Sequence, residues 1–135
     1  MKYKLSEICE FISDKIDLET NVTIKNYIST ENMLVNKQGV TVAEKLPSTK
    51  RVNSFKKNDV LISNIRPYFK KIWFSDKDGG CSADVLVIRA KEVVVPEFLY
   101  CILSTNKFFD FMTVTAKGTK MPRGDKQAIK DYIVD

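Results

Sequence analysis

The stretch Asp59-Val-Leu-Ile-Ser-Asn-Ile-Arg-Pro-Tyr-Phe-Lys-Lys71 joins an apolar run to a cation-rich turn. Its first half is predicted to be a buried strand, because aliphatic residues follow one another with little polar interruption. Pro67 must end that strand, since proline lacks the N–H group that a β ladder requires. Residues 64–71, called basic loop 1, therefore project from a rigid support.

A second cation-rich segment, Lys117-Gly-Thr-Lys-Met-Pro-Arg-Gly124, lies further along the chain and is called basic loop 2. Neither loop contains an acidic residue. Arginine can hold guanine by a bidentate contact, and lysine can neutralise a phosphate. The two loops together favour a nucleic-acid partner. Two alternatives are left open: basic loop 1 is a solvated turn whose arginine pairs with a local acid, and basic loop 2 is an exposed basic connection before a helix.

The composition indicates where the positive charge lies. The 135 residues, 44% of them hydrophobic, are enough for one domain with its own core. The 22 Lys and Arg against 17 Asp and Glu give a formal charge of +5. Residues 117–130 hold five cations and one acid, so an anionic partner is expected near the C-terminal end.

Several features argue against catalysis. The chain has no histidine, which removes the commonest general base and metal ligand. The paired acids at positions 14 and 17, and at 76 and 78, accompany no nucleophile or base. Basic loop 2 also lacks the Gly-Lys-Ser/Thr ending of a phosphate-binding loop. We therefore expect a non-catalytic protein without a cofactor, and a small hydrolase is a remote alternative.

The three cysteines suggest a reducing, cytoplasmic environment, since no Cys-x-x-Cys pair is present. Cys9 and Cys101 are predicted to be core residues, and Cys81, which follows two glycines, is predicted to be partly exposed. No stretch approaches the roughly 20 apolar residues of a membrane span, so no membrane association is expected.

The fold class predicted from the patterns is α+β, with a mixed, mostly antiparallel sheet core and short helices at both ends. The spacing of Leu5, Ile8, Cys9 and Ile12 predicts an N-terminal helix capped by Ser6. Further predictions are one or two short strands within residues 21–33, a short strand at 40–43, a hairpin pairing 71–75 with 83–89 around the glycines at 79–80, a helix from Pro96 interrupted at 104–106, and a last helix capped by Asp125.

The segment Tyr27-Ile-Ser-Thr-Glu-Asn-Met33, called the Tyr27 segment, ends in a group of polar side chains. Thr30 and Asn32 are suitable for contacts with base edges, asparagine with adenine in particular. A turn in which these groups satisfy their own backbone is equally compatible with the chemistry.

An ordered set of motifs resembles the target-recognition domain of the specificity subunit of type I restriction-modification enzymes. Lys4-Leu-Ser-Glu-Ile-Cys-Glu-Phe-Ile12 is similar to the family's opening helix, and the Tyr27 segment to its recognition segment. Residues 55–68 are similar to its Asn-Asp-Val-Leu strand with the Arg-Pro-Tyr loop. Residues 80–89 and 116–123 are similar to its later motifs.

The resemblance implies that residues 1–135 form a single DNA target-recognition domain, truncated before the family's spacer helix. Such a domain reads one half of a bipartite site in double-stranded DNA. The implied partners are methyltransferase subunits and, through them, restriction subunits. Methylation, S-adenosylmethionine binding and translocation would belong to those partners. The alternative from another class is a protein-interaction module whose basic face meets an acidic partner.

The candidate DNA-binding residues come from three segments, whose cations are expected to converge on one side of the molecule. Backbone and groove contacts are predicted for Arg66, Lys70, Lys71, Lys117, Lys120 and Arg123. Base or sugar contacts are predicted for Thr30, Asn32, Asn64, Tyr68 and Thr119.

Overall fold

The computed structural model describes residues 2–135. The elements in chain order are β1 (Tyr3–Lys4), α1 (Leu5–Ile8), β2 (Cys9–Phe11), β3 (Lys15–Asp17), α2 (Leu18–Asn21), β4 (Tyr27–Ile28), β5 (Arg51–Phe55), β6 (Val60–Ser63), a 3-10 turn (Pro67–Phe69), β7 (Ile72–Phe74), β8 (Gly79–Cys81), β9 (Val85–Ala90), α3 (Pro96–Leu103), α4 (Asn106–Thr115), α5 (Lys126–Lys130) and β10 (Ile133–Val134). The predicted α+β class, with mostly antiparallel pairing, is confirmed.

The first sheet is built around β6, whose residues 60–62 are apolar. Its order is β2-β9-β6-β7 and all its pairs are antiparallel. Alternate residues of a strand point to opposite faces. Val60 and Ile62 accordingly pack in a cluster with Leu99, Leu103 and Phe108 of the helices. Leu61, between them, belongs to a different cluster, so β6 is buried on both faces as its sequence predicts.

The second sheet covers the other face of the first. Its order is β3-β5-β8-β4, and only the β4–β8 pair is parallel. Phe55 and Cys81 from this sheet pack with Leu61, Val85 and Val87 from the first. The helices, the first sheet and the second sheet therefore form three layers.

The predicted hairpin between residues 71–75 and 83–89 is wrong. β7 and β9 both pair with β6, one on each side, and the glycines between them form β8 in the second sheet. Neither Gly79 nor Gly80 has a positive φ. They are needed for close packing, because a Cβ at Gly79 would collide with the Asn26 carbonyl oxygen and one at Gly80 would lie 2.6 Å from Val52 Cγ2.

The N-terminal helix is shorter than its apolar spacing predicts. α1 ends at Ile8, and Cys9 begins β2, which pairs with the buried strand β9. Backbone pairing with β9 overrides the helical pattern there. Ser6 does not cap α1, since the N-cap residue is Lys4, whose N–H donates to Glu7 Oε1 at 3.0 Å.

The short elements between β3 and β5 agree only in part with the strands predicted from the sequence. The segment 21–33 contains one strand, β4, as one of the two predicted options allowed. The strand predicted at 40–43 is reduced to a single bridge between Met33 and Val40.

The C-terminal helices follow the predicted boundaries. Proline begins α3, and the chain breaks at Ser104 and Thr105 before α4. Thr105 Oγ1 accepts the Phe108 N–H at 3.1 Å, and Asp125 Oδ1 accepts the Ala128 N–H at 3.1 Å, so each caps its helix. Phe98, in the first turn of α3, is 49% exposed.

Two of the three cysteine environments differ from prediction. Cys9 is buried as predicted, but Cys81 is buried and Cys101 is exposed. Cys81 lies in β8 between the sheets, and Cys101 lies on the outer side of α3. Burial raises the pKa of both Cys9 and Cys81 to about 12.

We therefore expect one thiol of the native protein to react with an aromatic disulfide reagent at pH 8, because thiolate is the reactive form. The other two should react only after unfolding. Absorbance of the released thiolate counts the sites, and Cys101→Ser should abolish the native reaction. Two or three fast-reacting thiols would contradict the burial of Cys9 and Cys81.

Within residues 2–135, no helix combines the length and apolar character that crossing a bilayer requires.

Candidate nucleic-acid interface

The two basic loops lie side by side and are joined through their backbones. The Arg66 N–H donates to the Pro122 carbonyl at 2.8 Å, and the Gly124 N–H donates to the Asn64 carbonyl at 2.9 Å. Ile65 and Arg123 form an antiparallel bridge between these bonds. Two segments about fifty residues apart in sequence therefore present one continuous cationic surface.

Basic loop 1 is held in an unusual backbone conformation. Arg66 and Lys70 flank the 3-10 turn, with φ values of 48° and 54°. Residues other than glycine and asparagine rarely adopt this left-handed region, and such strain is often found where a binding site is positioned. The turn's own bonds, Phe69 N–H to Arg66 O and Lys70 N–H to Pro67 O, both 3.0 Å, hold the loop in this shape.

Among the described residues 2–135, three cations of the joined loops have neither a hydrogen-bond partner nor an ion-pair partner for their side chains. Within residues 2–135, the side chains of Arg66, Lys117 and Lys120 form no hydrogen bond or ion pair. Lys117 and Lys120 are also exposed. Their charge is available to an anionic partner.

Arg123 is paired, but weakly. Its Nε lies 3.3 Å from Asp84 Oδ1, and the two side chains are 54% and 40% exposed. Exposed ion pairs of this kind contribute about 0–1 kcal/mol. A phosphate could therefore replace Asp84 as the partner of Arg123.

Lys71 joins the Tyr27 segment to basic loop 1. Its ammonium donates to the Thr30 carbonyl at 2.7 Å and lies 5.8 Å from the centre of the Phe69 ring. This geometry assigns Lys71 a positioning role beside its charge. It also brings Thr30, a candidate from a third segment, next to the joined loops.

The base contact predicted for Asn32 conflicts with its environment. The residue is 6% exposed. Its Oδ1 accepts the Ser29 N–H at 2.6 Å, and its Nδ2 donates to the carbonyls of Tyr27 and Thr41, both at 2.9 Å. The side chain fastens the turn of the Tyr27 segment, so it is removed from the candidate contacts.

The side chain of Asn64 is also buried and has a structural role. It is 8% exposed, and its Nδ2 donates to the Gly124 carbonyl at 3.3 Å. Its Oδ1 is buried and has no hydrogen-bond partner among residues 2–135. It lies against the α-carbon of Gly124, where a Cβ would collide with it. Asn64 therefore sets the approach of the two loops, and the predicted base contact conflicts with its burial.

The remaining candidates are accessible. Tyr68 is 46% exposed and its ring packs edge-on against Phe69, with centroids 4.9 Å apart. Thr119 is exposed and Thr30 is half-buried. Tyr27 itself is buried, and burial, with Cys81 and Glu31 nearby, raises the pKa of its hydroxyl.

Sequence reasoning missed two residues beside this surface, Lys37 and Asn106. The Lys37 N–H donates to the Lys70 carbonyl at 2.7 Å, and the Asn36 N–H to the Phe69 carbonyl at 2.9 Å. Both Asn36 and Lys37 have positive φ values, 57° and 64°. The asparagine in the Asn36-Lys37-Gln-Gly39 stretch was a signal for a left-handed turn, but nothing local indicated its contact with basic loop 1.

The described part of the chain, residues 2–135, contains no group of three or more histidine, cysteine or acidic side chains placed to hold a metal ion.

No model of a protein family matches the sequence, and no curated protein matches it. Solved structures do match over nearly the whole chain. The HsdS subunit from Thermoanaerobacter tengcongensis aligns with a TM-score of 0.74 and 22% identity, covering 99% of this chain and 37% of that one. A chain from a structure of complex assembly and conformational transition in the type I R-M system aligns with a TM-score of 0.72 and 23% identity, covering 99% and 37%.

The S subunit of the type I restriction-modification system from M. genitalium aligns with a TM-score of 0.63 and 14% identity, covering 98% of this chain and 33% of that one. The chain thus spans about a third of the length of the structures it matches. At these identities the likeness concerns the fold. The structural resemblance predicted from the sequence motifs is confirmed, and the chain has the fold of a region of type I restriction-modification S subunits.

Proposed function

We propose that this chain is a sequence-specific, double-stranded DNA-binding domain of a type I specificity subunit. It reads one half of a bipartite site and has no catalytic activity of its own. The fold shared with S subunits supports this proposal. Methyltransferase subunits and, through them, restriction subunits would be its partners, in the cytoplasm. The unit proposed for this role is residues 1–135.

The observation that carries the proposal is the backbone-joined pair of basic loops beside the Tyr27 segment. Phosphate contacts are assigned to residues with free or weakly paired charge. These are Arg66, Lys70, Lys117, Lys120 and Arg123. Base or sugar contacts are assigned to Thr30, Tyr68 and Thr119, which stand accessible at the same surface. Such a division between phosphate contacts that position and polar contacts that specify is general in DNA recognition.

Asn32, Asn64 and Lys71 have a supporting role in this proposal. Their side chains hold the Tyr27 segment and the two loops in register. Removing them should disturb recognition through the geometry of the loops.

The proposal is tested by selection of bound duplexes from a pool of random sequence, followed by affinity measurements at several salt concentrations. We expect enrichment of a short motif, because one domain would read one half-site. We also expect log affinity to fall linearly with log salt, with a slope of about −0.9 per phosphate contact.

Two results would contradict the proposal. Binding with a salt slope but without any enriched motif would refute sequence-specific reading. The absence of duplex binding at low salt, together with tight binding to an acidic protein, would favour the interaction-module alternative.

A further inference from the structure

Lys37 and Lys70 meet at one uncharged oxygen at the edge of basic loop 1. Lys37 Nζ lies 2.9 Å from Asn106 Oδ1, and Lys70 Nζ lies 3.1 Å from the same atom. The two ammonium groups are thus separated by no more than about 6 Å, the sum of these distances. They come from segments 33 residues apart in the sequence.

The charge of this pair is not compensated inside the protein. Across residues 2–135, neither Lys37 nor Lys70 forms an ion pair with an acid. Asn106 supplies an amide dipole and no negative charge. Two like charges this close repel each other, and an anion between them would relieve that repulsion.

The backbone holds the two lysines together. The Lys37 N–H bonds to the Lys70 carbonyl at 2.7 Å, and both residues have left-handed backbone conformations. Lys37 Nζ also lies 5.8 Å from the centre of the Phe109 ring, which is in the core. The fold therefore holds the backbones of the two lysines together, so binding an anion requires ordering of the side chains alone.

We propose that Lys37 and Lys70 form a two-cation site for a single phosphodiester group of the DNA backbone, with Asn106 positioning both ammoniums. This inference rests on the proposed function. A phosphodiester carries one negative charge and two free oxygens, so each ammonium can donate to one of them. The site adjoins the turn that carries Arg66 and Tyr68, so the strand that meets that turn would pass over it.

The test compares the salt slope of affinity for a duplex of random sequence among Lys37→Gln, Lys70→Gln and the double variant. Because either lysine alone can still contact a shared phosphate, each single variant should keep nearly the wild-type slope. The double variant should have a salt slope that is shallower by about one. If the lysines contact separate phosphates, the salt slope becomes shallower by about one in each single variant and by about two in the double variant. That result would overturn the shared site.

Lys57→Gln is the matched control, since Lys57 is exposed and precedes the start of β6, whereas basic loop 1 follows its end. A double variant that behaves like Lys57→Gln overturns the inference while leaving the proposed function intact. If the wild-type protein itself shows no measurable salt slope, both the two-cation site and the proposed function are overturned.

Two further variants separate charge from structure. Lys37→Arg/Lys70→Arg should keep the wild-type slope, because the charges remain. Asn106→Asp places a carboxylate that competes with the phosphate for both ammoniums, so it should weaken duplex binding at low salt more than Lys57→Gln, which changes the net charge by the same amount. Unfolding by heat, followed by circular dichroism, checks that each protein is folded. Wild-type affinity in Asn106→Asp would contradict the site.

Discussion

Replacement of Arg89 by methionine is expected to lower the free energy of unfolding by about 3 kcal/mol, the lower end of the range for breaking a buried ion pair. Arg89 Nε and a terminal guanidinium nitrogen donate to the two carboxylate oxygens of Asp59 at 2.7 and 2.8 Å. The Asp59 side chain is 1% exposed, and that of Arg89 is 30% exposed. The hydrogen bonds to Asp59 raise the pKa of Arg89, so its guanidinium is charged.

The cost arises because the variant leaves a buried carboxylate with one remaining donor, the Lys56 N–H at 2.8 Å. Asp59 sits just before β6, so its carboxylate ties that turn to β9. Methionine fills much of the space of the arginine stem, which limits the contribution of lost packing.

Urea denaturation at pH 7 measures the difference. Asp84→Asn, which removes the exposed partner of Arg123, is the control and should cost no more than about 1 kcal/mol. Equal costs for Arg89→Met and Asp84→Asn would show that burial does not strengthen the Asp59–Arg89 pair.

Features determined by local chemistry could be predicted from the sequence. The aliphatic run at 60–62 requires burial on both faces, Pro96 suits the first turn of a helix, and Asp125 suits a cap. The cation-rich character of both basic loops is likewise visible without coordinates. These predictions depend on residues within one turn or one strand of each other.

Features determined by distant contacts could not be predicted. The glycines at 79 and 80 suit a turn and a tight packing position equally well in sequence. Whether they form a turn or a tightly packed strand depends on Asn26, Phe55 and Val52, which lie far away in the chain. The same reason explains why β7 and β9 were wrongly paired with each other.

The candidate site shows this limit at the level of side chains. Asn32 and Thr30 are neighbours of similar polarity, yet the amide of Asn32 turns inward to the carbonyls of Tyr27 and Thr41. Composition cannot give that direction. Lys37 was missed because its place beside Lys70 is set by a tertiary backbone bond.

The variant Arg66→Gln/Lys117→Gln/Lys120→Gln is expected to weaken duplex binding and to leave the free energy of unfolding nearly unchanged. Each side chain carries an uncompensated charge on the joined loops, so its loss should weaken duplex binding for all sequences alike. The salt slope should become shallower by about three. The factor by which affinity falls between 50 and 200 mM salt should then be about 40 times smaller than in the wild-type protein.

The free energy of unfolding should stay within about 0.5 kcal/mol of the wild-type value, because these side chains form no hydrogen bond or ion pair within residues 2–135. Lys2→Gln/Lys50→Gln/Lys57→Gln, at exposed positions outside the basic loops and the Tyr27 segment, has the same change in net charge. If both triple variants change the slope equally, net charge alone drives binding. A larger change in the first would locate the DNA contact on the joined loops, since only the placement of the charge differs between the two proteins.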